Sequence, residues 1–363
     1  MAHIAIDARI INSTTGRYVE RLVTYLQEVD TTNSYSILVR AKDKDFWKPR
    51  NNNFKVLVAD FDNYSFGEQL GFGRFLKKLN ADLVHFCMPQ QPIGYRGKKV
   101  TTMHDLTLLK TYNSDKNWLV YHAKQKVGKY VFKKVTEDSN RIIAISQYTK
   151  EDLQSFFPVS DEKITVIYEA SDVATIAPKK YPLPFKNYIM YVGQQSDYKN
   201  IKRLGDAHQL LLAKYPDLGL VLVGKKNASA LANEAYFEKR KYSNILFTDF
   251  VDDAQLSWLY SHAQAYIFPS LMEGFGLPGL EAMGYGTPVV SSNATCLPEV
   301  YGQAAYYFDP EDTSDMAEAI EQVLSNDALR TRLSKSGYKQ IKKYSWKKMA
   351  KETHAVYMDV LNS

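Results

Sequence analysis

At 363 residues the chain has length for about two domains of roughly 150 residues each, and its 45% apolar and 24% charged content excludes disorder for the bulk of it. No apolar run approaches the roughly 18 residues of a membrane-spanning helix, and the opening MAHIAIDARIIN lacks a basic start before an apolar core, so no secretory signal is expected. Cys87 and Cys296 are the only cysteines, which argues against a disulfide framework or a structural zinc site and fits a reducing cytoplasm, and a net charge of +6 is too mild for a dedicated nucleic-acid binder.

Short β-branched runs alternate with helical patterns along the chain. Strands are expected at 3–8, 35–40, 54–60, 82–86, 100–104, 141–146 and 164–168. Between the first two, Val19, Leu22, Val23 and Leu26 fall on one face of a helix over 17–29. Residues 169–187 break the rhythm with Pro178, Pro182 and Pro184 and read as a connector, its linker proper at 171–187. Alternation restarts with strands at 188–193, 218–224, 244–251, 265–268, 288–291 and 304–308, and helices near 201–215, 253–262, 312–324 and 329–343. The expected fold is α/β: two doubly wound, Rossmann-like domains, 1–170 and 188–345, facing a central cleft where ligands bind beyond the strands' carboxyl ends. A last helix follows over 346–363.

The stretch AYIFPSLMEGFGLPGLEAMGYGTPVV is the most informative. A strand runs into a loop holding Glu273, Gly274, Phe275 and Gly276, and Pro278 suits the first turn of a helix. The glycines let the backbone approach a ligand, and the free amides of a helix start favour an anion such as a diphosphate. Glu281, in the first turns of that helix, leans back toward the loop, so the two carboxylates can accept from hydroxyls at both ends of one molecule. Gly274, Gly276 and Gly279 also match a dinucleotide fingerprint with Glu299 about 20 residues on. That dehydrogenase reading fits poorly, because five residues separate Phe268 from the first glycine where a tight turn is needed. A glycine-rich connector with incidental acids is the bland alternative.

The sequence resembles glycosyltransferase family 4, retaining enzymes of GT-B architecture. The likeness covers nearly the whole chain: IDARIIN, Gly16-Arg17-Tyr18-Val19, His104-Asp105-Leu106, Tyr191-Val-Gly193, Lys199-Asn200, FPSLMEGFGLPGLEAM, GTPVVSS, LPEVYG and Ser345-Trp346. It implies that Glu273 contacts hydroxyls of the donor sugar and Glu281 the ribose. Backbone at Gly274, Phe275, Gly276 and Leu277 would hold sugar and diphosphate, with Lys199 on the diphosphate. Tyr198 stands where an arginine is usual, and a phenol offers one neutral donor in place of a two-pronged cation. Lys202 and Arg203 are nearby, and a surface role suits both.

The resemblance also places His104 beside the reacting sugar, where it orients groups or stabilises charge, since the leaving phosphate takes the acceptor's proton in the family's front-face mechanism. His85 reads as a structural partner. The resemblance implies that the Gly16 loop, where Ser13, Thr14 and Thr15 stand in place of the family's richer glycines, faces donor phosphate or acceptor, and turn chemistry alone is the alternative. The family's Asn-Gly at the end of the first domain is Glu169-Ala170 here. Asp43-x-Asp45 and Asp60-x-Asp62 are spaced like metal ligands, but the GT-B reading needs neither metal nor cofactor, and both pairs fit solvated loops. The C-terminal helix is implied to pack back on the first domain.

Residues 116–135 carry six lysines and no acid, interleaved with Trp118, Tyr121, Val131 and Phe132. Such a helix suits either an anionic membrane surface or a solvated face. The resulting expectation is a cytoplasmic enzyme, peripheral on the inner leaflet, that moves a hexose to a glycan or lipid-linked acceptor. The first donor choice is GDP-mannose, and UDP-sugars are the alternative. A non-catalytic sugar-nucleotide-binding protein and an epimerase of the same architecture stand as rivals.

Overall fold

A computed structural model describes the backbone of residues 1–110, 118–172 and 176–363, and the side chains of all of these except 118–124. Its described residues divide into two units, Met1–Glu169 with Ser345–Ser363 and Ala170–Tyr344.

In unit 1 the strands are β1 (His3–Asp7), β2 (Ser34–Val39), β3 (Phe54–Val58), β4 (Leu83–Phe86), β5 (Lys99–Met103), β6 (Arg141–Ala144) and β7 (Ile164–Val166). They form one parallel sheet in the order β3-β2-β1-β4-β5-β6-β7. Parallel pairing demands a crossover after each strand and burial of both faces, and the strands accordingly carry near-continuous apolar runs such as the fully buried Ile4, Ala5 and Ile6. The Gly16–Val29 helix buries Tyr18, Val19, Leu22, Val23 and Leu26, the stripe its spacing predicts. The Trp346–Asn362 helix packs on it, with His354 reaching Asp30 at 3.0 Å and Lys347 paired with Glu28 at 2.9 Å, and its Tyr357 reaches His85 Nδ1 on β4 at 2.6 Å.

Unit 2 repeats the plan with β8 (Asn187–Val192), β9 (Leu218–Val223), β10 (Ile245–Phe247), β11 (Ala265–Phe268), β12 (Val289–Ser292) and β13 (Ala305–Phe308). Its parallel sheet runs β10-β9-β8-β11-β12-β13. In both sheets chain order reverses beside the first strand, between β1 and β4 and between β8 and β11. Crevices for ligands open at such switch points.

The alternating strands and helices expected from the sequence are present. Helices at Gln147–Phe156 and Ala228–Lys239 go beyond that reading. Their side-chain N-caps, Ser146 and Asn227, are the local signal for them. One expectation changes. Asp43 is buried rather than solvated, and accepts from Asn12 Nδ2 at 2.9 Å. Of the alternatives left open for the lysine-rich helix, Phe132 is taken by the core, with Met103, Leu106, Val135 and Leu153. Of the 116–135 segment, residues 116 and 117 and the side chains of 118–124 lie outside the described set. Lys126, Lys129 and Lys133 are exposed beside Val127 and Tyr130. Among the described residues no helix is long and apolar enough to cross a membrane.

Candidate active site

In unit 2 the loops leaving β8 and β11, neighbours at the switch point, bring Lys199 and Glu273 together. Lys199 Nζ lies 2.5 Å from Glu273 Oε1 with both side chains largely buried. Burial opposes the ammonium charge, but Glu273 outweighs it and raises the Lys199 pKa, so the lysine is held cationic. An ammonium carries three donors. One is directed at Glu273, and the others have no hydrogen-bond acceptor among the described residues.

The loop around Glu273 is fixed from several sides. Its amide donates to Thr295 Oγ1 at 3.2 Å, and its carbonyl accepts from Cys296 Sγ at 3.3 Å. Thr295 holds φ +57°, which is costly for a β-branched residue. Leu271 N donates to Tyr198 O at 2.8 Å, which ties the β11 loop to the β8 loop. Gly276 adopts φ +93°, and a Cβ there would meet Tyr301 Oη at 2.5 Å. Tyr301 donates to the Gly276 carbonyl and is fully buried, so its ring is the floor under the turn. The same ring excludes a side chain at Gly279, where a Cβ would meet Oη at 2.3 Å. Two of the three glycines of the fingerprint-like run therefore serve this turn, and β11 is not followed by the tight glycine turn of a dinucleotide site.

Glu281 sits in the Leu277–Gly284 helix, 8% exposed, and accepts from Tyr260 Oη at 3.3 Å. Tyr260 in turn stacks on Tyr285 with centroids 5.3 Å apart. Glu273 and Glu281 are thus both positioned by the turn that Gly276 opens.

Tyr198 lies against the Lys199 ammonium, 5.0 Å from its ring centroid, and adds no cation of its own. Arg203 does not make up the difference: its guanidinium donates to Asn200 Oδ1 at 2.9 Å and Pro310 O at 3.0 Å. Lys202 lies 3.8 Å from Asp197. Thr295, Tyr301 and Tyr260 went unsuggested by sequence reasoning. Their roles depend on contacts across 18 to 25 positions, which no local motif encodes.

In unit 1 His104 follows β5 and is nearly buried. Its Nε2 is 2.9 Å from the Cys87 carbonyl and its Nδ1 is 3.2 Å from Glu169 Oε1. Tyr18 meets the ring edge-on at 4.9 Å. Burial lowers the tendency of His104 to hold a proton, but the Glu169 carboxylate outweighs it and the pKa is raised. His85 behaves oppositely: burial, then the nearby His104 charge, push it down to about 3, and it bonds Tyr357 and Thr102 as a neutral structural group. Gly16 is needed for packing within its own loop, since a Cβ would lie 2.1 Å from the Ile11 carbonyl oxygen and 2.4 Å from that of Ile10. Asp60 and Asp62 are paired with Arg40. Among the described residues no group of three or more His, Cys, Asp or Glu side chains is arranged to hold a metal ion.

Comparison with known proteins decides the family. The pattern described as "Glycosyltransferase Family 4" matches residues 15–175, and "Glycosyl transferases group 1" matches residues 175–340. The O-antigen chain mannosyltransferase B of Escherichia coli is 32% identical over 277 residues, covering 72% of this chain and 70% of the relative. The chain belongs to the family 4, group 1 glycosyltransferases. This glycosyltransferase is also 31% identical over 273 residues to the serotype-specific mannosyltransferase WbdA of Escherichia coli, but it spans only 32% of that protein's length. Among solved structures, sucrose-phosphate synthase from Thermosynechococcus elongatus aligns over 100% of both chains with a TM-score of 0.79 at 18% identity, a likeness of fold that makes the architecture GT-B. The enzyme uses a nucleotide-diphosphate sugar and moves the sugar to an acceptor hydroxyl.

Proposed function

We propose that the enzyme transfers mannose from GDP-mannose, with retention of configuration, to a hydroxyl of a growing glycan or lipid-linked acceptor. The observation that carries the site assignment is the Lys199–Glu273 pair held 2.5 Å apart beside the Gly274–Gly276 turn. In this reading a Lys199 donor left over from Glu273 takes the diphosphate. The free Glu273 oxygen accepts from sugar hydroxyls, the backbone of Gly274, Phe275, Gly276 and Leu277 lines the sugar and diphosphate, and Glu281 accepts from the ribose. In unit 1, His104 works beside the reacting sugar, and the loop ending at Gly16 meets donor phosphate or acceptor. The curated relatives above, both named as mannosyltransferases, support the choice of sugar. A largely buried lysine paired with one carboxylate suits a polar, hydroxyl-rich ligand carrying a diphosphate, since a desolvated cation gains most from an anion that replaces lost water.

The domain reading assigns acceptor binding to unit 1 and donor binding to unit 2. The exposed Lys126, Lys129 and Lys133 add a basic face for an anionic inner leaflet, each worth about 1 kcal/mol near such a surface. The deciding experiment offers GDP-mannose and a panel of UDP-sugars, and follows both binding by thermal shift and transfer by product NMR. GDP-mannose is expected to stabilise the protein and give an α-linked product. Stabilisation by a UDP-sugar alone, or an inverted product, overturns the donor or the stereochemistry. Flotation with anionic liposomes that persists after charge reversal at Lys126 and Lys129 overturns the membrane face.

A further inference from the structure

His104 is a buried histidine with both ring nitrogens engaged, and its partners define its protonation. A carbonyl oxygen can only accept, so the 2.9 Å contact to Cys87 O requires a proton on Nε2. An ionised carboxylate can only accept, so the 3.2 Å contact to Glu169 Oε1 requires a proton on Nδ1. A ring with both protons is an imidazolium with no lone pair. Glu169 is 4% exposed, and it stands where the family resemblance expects an asparagine, which has no charge to hold a cation.

We propose that Glu169 is a positioning residue that keeps His104 as an imidazolium, so that the histidine acts in sugar transfer through its charge and orientation and never as a base. The inference rests on the reading that places His104 beside the reacting sugar. Its surroundings are consistent from every packed element. After β4, the Cys87 thiol is buried and its pKa is pushed up, so it stays neutral. Behind it His85 is neutral, held down in part by the His104 charge. From the first helix Tyr18 offers a ring edge, and its phenol is kept protonated by burial. Asp105 is adjacent in sequence and adds to the pull on the proton while its Oδ1 caps Thr107 N at 2.8 Å. On β1 the Asp7 carboxylate is neutralised by Arg9 at 2.8 Å. Glu169 is the one carboxylate in direct contact with the ring among the described residues.

The sign of the pH dependence follows. His104 has a raised pKa in the folded protein, so the stability from its charge is complete below the unfolded value and is lost as pH rises through the folded one. The loss of activity therefore lies on the alkaline side.

The test uses the full chain labelled with 15N-histidine, and His104 is assigned among the seven histidines by the signal missing in His104→Gln. In the wild type both ring nitrogens are expected at imidazolium shifts at pH 7, with a midpoint above the ordinary value of about 6.5. Glu169→Gln is expected to lower the midpoint and favour a neutral ring with its proton on Nε2, whereas Glu169→Asp keeps the charge. In turnover, Glu169→Gln should lower kcat on the order of tenfold with the donor KM unchanged and shift the alkaline limb to lower pH. A wild-type ring with one bare nitrogen at pH 7 overturns the proposal, as does an unchanged midpoint or alkaline limb in Glu169→Gln. The spectra need no substrate. A wild type that shows the imidazolium but transfers no sugar from any nucleotide donor fails the functional reading alone.

Discussion

Lys199–Glu273 in unit 2 and His104–Glu169 in unit 1 are both cation–carboxylate pairs built on loops at the carboxyl edge of a parallel sheet, and both are mostly buried. They differ in spare capacity. Lys199 has three donors and directs one at Glu273, so the pair can open toward a ligand. His104 has two, and both point at protein acceptors. They differ in placement too. Lys199 and Glu273 follow strands adjacent at the switch point, whereas His104 and Glu169 follow β5 and β7 with β6 between them. A pair with unused donors is suited to holding a substrate, and a saturated pair is suited to setting a field. The mutants below press on that distinction.

The largest effect belongs to Glu273. Glu273→Gln keeps the shape and removes the charge, and should lower kcat about 10²–10³-fold without loss of fold by circular dichroism. Near-normal turnover would mean that the unit 2 pair is structural and that the two pairs do not differ as argued. Gly276→Ala comes next. The new Cβ faces Tyr301 Oη at 2.5 Å and must sit at φ +93°, so stability should fall about 2 kcal/mol or more and donor binding with it. Adding Tyr301→Phe should restore only part of the melting temperature, because the backbone cost remains. Full recovery would locate the whole effect in the clash. Glu281→Gln should weaken the free diphosphate nucleotide about tenfold, or about 1.4 kcal/mol by titration calorimetry, while kcat moves less. Unchanged affinity would remove Glu281 from the ribose.

The smallest effect is expected at a third pair, the carboxylate–histidine pair Asp30–His354, which lies in the packing of the C-terminal helix and serves as the control. Burial works against the Asp30 charge, but hydrogen bonds from Tyr35, Asn33 and Thr32 hold its pKa down to about 2. A depressed carboxylate contributes stability above its unfolded value that is lost as pH falls through the folded one. Asp30→Asn should therefore flatten the acid unfolding curve between 3.8 and about 2 and leave turnover at neutral pH unchanged. A catalytic defect there would blur the contrast between pairs that serve chemistry and pairs that serve packing.

Much of this was legible in the residues. The apolar runs and the stripe at Val19, Leu22, Val23 and Leu26 set the alternation of strands and helices, because burial on both faces of a parallel sheet leaves a continuous apolar signal. Glu273, Gly276 and Glu281 were legible because a glycine turn opening a helix is a local device, written in nine consecutive positions. Whether Phe132 faces a membrane or the core was left open by the sequence, since periodicity marks an apolar side but not what covers it; the core with Met103 and Leu153 takes it. Asp43 was misread as solvated, since nothing near it in sequence announces Asn12.

The sequence by itself determined the two doubly wound layers, the connector between them and the carboxylate-flanked turn, all features whose physics acts within a few residues or repeats with a fixed period. Only the tertiary structure decided that Tyr301 floors that turn, that Arg203 is tied to Pro310, and that Glu169 meets His104. Those contacts join residues up to 107 positions apart, and a distant partner is chosen by how the sheet orders its strands, which no short stretch of chain can state.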